Sequence, residues 1–114
     1  APKGHDRWWW NIAGGRCINP HCRTLFNELA PPSANNHPDQ DEIIPVADGG
    51  QRCIANEQLI CHACNLKKRT KWTDYRPPQV IAEAYQADQE GAAYHELLRR
   101  RSHQLGLFDA EEST

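Results

Sequence analysis

Apolar positions are sparse along this chain and fall into short runs separated by polar stretches, and the runs have readable periods. From Gln79 to Leu105, Val80, Ala84, Ala87, Gly91, Tyr94, Leu98 and Leu105 follow a three-and-four spacing, with Ile81, Tyr85, Ala92 and Leu97 beside them. That period predicts one long amphipathic helix, weakened at Gly91 and stopped at Gly106. Its small residues suit close packing, either on the domain's own core or on a second copy. Ile43-Ile44, within Glu42 to Val46, and Leu59-Ile60 predict two short strands, with Asp48-Gly49-Gly50 as a turn between them. Residues from His62 to about Lys71 accept helix, so the order is strand, long turn, strand, helix. Thr24 to Ala30 predicts one or two helical turns ended by Pro31-Pro32, followed by a polar loop. Trp8, Trp9 and Trp10 cannot all face one way, so one or two fill the core and at least one indole stays partly exposed.

At 114 residues the chain makes one small domain, whose thin core needs a metal, a crosslink or a partner to hold it. Five cysteines supply the means: Cys17 and Cys22, Cys53 alone, then Cys61 and Cys64. Two close pairs across a long spacer suit a tetrahedral zinc ion, with Cys17, Cys22, Cys61 and Cys64 as ligands and Cys53 as a spare thiol, a small buried filler or a replacement for one of the four. An odd count and no signal-peptide pattern argue against a disulfide framework and for an intracellular protein. No apolar run reaches membrane-spanning length.

The net charge of −2 averages over unlike segments. Residues 61 to 76 carry Lys67, Lys68, Arg69, Lys71 and Arg76 against Asp74 alone, and residues 1 to 26 carry four bases against one acid. Basic groups are thus concentrated beside both cysteine pairs, where a phosphate backbone would meet them. Asp41 and Asn65 offer hard oxygen ligands for Mg²⁺ or Mn²⁺, an ion that can polarise a phosphodiester. Lys67, Lys68, Arg69 and Lys71 would hold the same backbone.

The ordered set DEIIPVADGG, Asn56 and LICHACNLKK resembles the ββα-metal motif of zinc-containing HNH endonucleases, and Cys17/Cys22 is similar to the first half of their structural zinc site. The resemblance covers roughly residues 17 to 70. It implies a small α+β, ββα-metal (HNH) fold stapled by a structural zinc on four cysteines, with flanking helices. Together with the patterns outside it, the resemblance divides the chain into a Trp-rich lead-in at 1–16, a nuclease core at 17–76, a helical extension at 77–106 and an acidic tail at 107–114. By position, Asp41 and Asn65 bind the catalytic divalent ion (Mg²⁺, Mn²⁺ or Ni²⁺), and Asn56 steadies the loop that orients the base. Glu42, a weaker base than imidazole at neutral pH, stands where the family has its general-base histidine, so this form is either inactive or weakened, or draws its base from elsewhere. The implied reaction is DNA hydrolysis to 3′-hydroxyl and 5′-phosphate ends in a bacterial or phage-infected cytoplasm. Glu42 itself, His37 or His62 would then act as base. The alternative is a non-catalytic zinc-stabilised domain that binds nucleic acid or protein, and the C-terminal helix allows a homodimer in either case.

Overall fold

The computed structural model describes residues 4–69 and 71–104. The acidic tail and the Leu105-Gly106 helix stop lie outside the described residues. Among the described residues the elements in order are α1 (His5–Ala13), β1 (Pro38–Glu42), β2 (Glu57–Cys61), α2 (His62–Lys68) and α3 (Pro78–Gln104), with single 3-10 turns at Val46–Asp48 and Ile54–Asn56. The result is a small α+β domain in which two antiparallel strands and α2 form a ββα unit.

The first strand lies earlier than the Ile43-Ile44 run. β1 is the polar segment PDQDE, paired with EQLIC of β2 so that Pro38 faces Cys61, Gln40 faces Leu59 and Glu42 faces Glu57. Such a segment has little strand propensity of its own; pairing with the fully buried β2 supplies it. Thr24 to Ala30 forms no helix. Arg16 and Leu25 make an isolated bridge, the Asn27 N–H bonds the Asn36 carbonyl, and turns carry the chain across residues 28 to 37. Helix would leave this segment without the cross-chain bonds that tie it to the knuckle.

The core is small. Trp9, Ala13, Cys17, Ile18, Phe26, Leu59, Ile60 and Ala84 are its buried centre. The tryptophan triplet divides accordingly: Trp9 is fully buried, while Trp8 and Trp10 flank the core half-buried. α1 begins at His5, so helix reaches back into the polar lead-in. Arg76 is buried too, its guanidinium 5.9 Å from the Trp9 ring centroid and bonded to the Ala55 and Glu57 carbonyls. Asp74 supplies its counter-charge at 2.9 Å.

The loop between the strands is pinned from inside. Asn56 Nδ2 donates to the carbonyls of Ile44 (2.9 Å) and Gln51 (2.8 Å), and its Oδ1 accepts the Ile44 N–H at 3.0 Å. Gly49 takes a φ of 93°, and a Cβ at Gly50 would run into the Ile44 carbonyl, which explains why two glycines are needed there.

Candidate metal centre and the Asp39 group

Cys17 and Cys22 flank a tight turn in which the Cys22 N–H bonds the Asn19 carbonyl, and Arg23 closes it in the left-handed region at φ 54°. The Arg23 guanidinium holds the carbonyls of Cys17 and Ala13, both at 2.9 Å. Cys61 ends β2 and Cys64 lies one turn into α2, so the strand-to-helix junction presents the second pair. The four Sγ atoms lie within 4.8 Å of one another, with Cys17 to Cys64 at 3.8 Å and Cys22 to Cys61 at 3.7 Å. A zinc ion at ~2.3 Å from each sulfur makes a tetrahedron with edges of about 3.8 Å, so the group fits that ion. Cys53 stands outside this group.

Burial works against the thiolates that such an ion needs, so the ion must offset it. Burial pushes the Cys17 thiol far above its ordinary range, and burial likewise raises Cys64 to about 11 despite the Asn19 amide 3.6 Å from its sulfur. At Cys22, burial is outweighed by hydrogen bonds from the Thr24 hydroxyl and backbone, which bring it down to about 7. Four thiolates so close repel one another, and a divalent cation is what makes the deprotonated set favourable.

A second polar group sits on the face of β1 that meets α2. Asp39 accepts three hydrogen bonds: His37 Nδ1 and His62 Nδ1, each at 2.8 Å, and Asn65 Nδ2 at 2.9 Å. Burial alone would raise the Asp39 carboxyl, but these donors outweigh it and hold it below the usual carboxylate range. Both imidazoles meet the carboxylate through Nδ1, which leaves their Nε2 atoms turned away from it. An Asp-held imidazole is the arrangement that orients a general base.

Of the residues singled out in the sequence, the four cysteines converge. Asn65 joins Asp39 rather than Asp41. Asp41 instead accepts from Gln58 Nε2 at 2.9 Å and pairs with Lys68 Nζ at 3.2 Å. Lys68 is 2 % exposed and points inward, whereas Lys67, Arg69 and Lys71 are exposed. Strand alternation puts Glu42 on the face opposite Asp39 and Asp41. Asp39 does not stand out in the sequence because residues 31 to 40 look like loop. A signal is nonetheless there: Asp39 and Asp41 are two apart, the spacing that shares a strand face.

A cleft of about 380 Å³ opens beside the cysteines, lined by Asn19, His21, Asn35, Asn36, Lys67 and Tyr75 among others. Among the described residues no helix is long and apolar enough to cross a membrane. Fold and site together define a small ββα-type metal-binding domain with a four-cysteine group suited to structural zinc. No protein-family model matches the chain, and no curated protein or solved structure is significantly similar to it.

Proposed function

We propose that this chain is a zinc-stabilised ββα domain that binds DNA through its phosphate backbone, and that the Asp39 group gives it hydrolytic activity of the HNH endonuclease type. The binding half asks least of the molecule, needing only the cysteine-stapled fold and the exposed Lys67, Arg69 and Lys71 at the end of α2. Backbone contacts of this kind set affinity and salt dependence rather than sequence choice. Exposed Trp72, next to Lys71, offers a stacking face.

Hydrolysis rests on one observation, the convergence of His37, His62 and Asn65 on Asp39. Asp39, together with Asn65 once its amide oxygen is turned inward, would hold a divalent cation, as the resemblance assigns to Asp41 and Asn65. A hard cation there supplies charge stabilisation to a phosphodiester. His62 or His37, oriented through Nδ1, takes the proton from the attacking water at Nε2. On this reading Glu42 is not the base, and Asn56 holds the loop. The products are a 3′-hydroxyl and a 5′-phosphate.

The second reading is a non-catalytic zinc-stabilised nucleic-acid-binding or protein-interaction domain, favoured by Glu42 at the general-base position and by Lys68 neutralising Asp41. Two measurements on the zinc-loaded chain separate the readings. Fluorescence anisotropy with duplex DNA should show affinity that falls with salt and weakens on Lys67→Ala/Lys71→Ala. Plasmid nicking with Mg²⁺, Mn²⁺ or Ni²⁺ should be lost in Asp39→Ala and in the double variant His37→Ala/His62→Ala, and retained in Glu42→Gln. Salt-dependent binding with no cutting by either the native chain or Glu42→His leaves the non-catalytic reading. No binding and no cutting would sink both halves of the nucleic-acid proposal.

A further inference from the structure

α3 contains 27 residues, a length of about 40 Å, and only its first half is tied to the domain. Ala84 is fully buried, and the Asp88 carboxylate accepts the Ile54 and Ala55 N–H groups at 3.0 and 2.8 Å. Beyond Asp88 no described residue of the helix is buried. The apolar stripe nevertheless continues there, with Tyr94 60 %, Leu97 64 % and Leu98 40 % exposed.

Two positions interrupt this stripe. Gly91 leaves a notch, with nothing within 4 Å of where a Cβ would sit. Arg101 continues the three-and-four spacing with a charge. Its neighbours Arg99 and Arg100 both pair with Glu96, while Arg101 is exposed and has no partner among the described residues.

We infer that the projecting half of α3 is the seam of an antiparallel homodimer, with the second copy's α3 as its occupant. Crossing at position 96 sets Tyr94 against the second copy's Leu98 and Gly91 against its Arg101. Each irregularity then accommodates the other: the notch receives the arginine stem, and the guanidinium reaches Glu90 beside it. Charge chooses the direction. Within the seam Glu90 makes the N-terminal end acidic, and the arginine triplet, with Arg101 left over after Arg99 and Arg100 pair with Glu96, makes the C-terminal end basic. Antiparallel pairing brings unlike halves together, whereas parallel pairing stacks the arginine triplets and sets notch on notch. Three turns per copy bury less than the ~1,600 Å² of a standard interface, so the dimer is weak and concentration-dependent.

Sedimentation equilibrium of the zinc-loaded full chain tests this, with circular dichroism to confirm that each variant keeps its helix. The native chain should show a monomer–dimer equilibrium. Arg101→Glu and Glu90→Arg should each weaken it about tenfold, and the double swap Glu90→Arg/Arg101→Glu should restore it. A monomer at every concentration, dimerisation indifferent to both single charges, or a double swap that fails to restore it would overturn the inference. Self-association seen only when duplex DNA is added would also overturn it, by assigning this face to nucleic acid.

Discussion

Asp39, Gln40, Asp41 and Glu42 are four consecutive polar residues on one strand, yet the two faces of that strand treat them differently. On the α2 face, Asp39 has His37, His62 and Asn65, and Asp41 has Gln58 and Lys68. On the opposite face, one Glu42 oxygen is buried with no hydrogen-bond partner among the described residues. Glu57, across from Glu42, is met there by His5 of α1, whose Nδ1 bonds Oε2 at 3.2 Å and lies 3.1 Å from Oε1. The difference is one of satisfaction: the acids facing α2 have donors, and those facing α1 largely lack them. A small domain that gives Asp39 three donors has organised that carboxylate, whereas the α1 face only tolerates its acids.

The largest test removes the anchor of the organised face. Chelating zinc, or substituting Cys61→Ser, should abolish cooperative folding in thermal and denaturant melts. The free energy of structural zinc binding, on the order of 10 kcal/mol, rivals the whole stability of a small domain. A chain that melts unchanged after chelation would show that no metal on the four cysteines holds the fold. Next comes Arg76→Ala, which leaves Asp74 and two buried carbonyls without their donor and should cost about 3–5 kcal/mol by urea unfolding. Lys68→Met leaves Asp41 with the Gln58 amide but no counter-charge and should cost on the order of 2–3 kcal/mol, while Glu57→Gln on the other face should stabilise by about 0.5–1 kcal/mol near neutral pH. Equal costs for those two variants would mean that the faces are not distinct.

The smallest effect is one of sign with pH. Burial raises the Asp74 carboxyl, but the hydrogen bonds of Arg76 outweigh burial and leave it below its ordinary 3.8. Its contribution is therefore present above that value and is lost as pH falls through the lower folded one. At Glu57, burial outweighs His5 and leaves the folded value above the ordinary 4.5. Stability tied to Glu57 is thus present at low pH and lost as pH rises through its folded value. Native and Glu57→Gln chains should accordingly diverge above pH 4.5 and converge below it, as read by urea midpoints.

The amino-acid sequence determined the pieces whose physics is local. Cysteine spacing marks the tetrahedral group because two close pairs on turns need only be brought together once. The Asp48-Gly49-Gly50 turn follows from backbone freedom, the start of α2 at His62 from its position after Cys61, and α3 from a period sustained over many residues. Tertiary structure decided what depends on pairing. PDQDE becomes a strand because β2 lies beside it, Thr24 to Ala30 gives up helix for cross-chain bonds, and Arg76 and Lys68, indistinguishable in sequence from surface bases, are drawn inward by Asp74 and Asp41. Strand pairing also chose Asp39 as the partner of Asn65, since which carboxylate of a polar strand meets a helix is set by register and alternation, and neither is local.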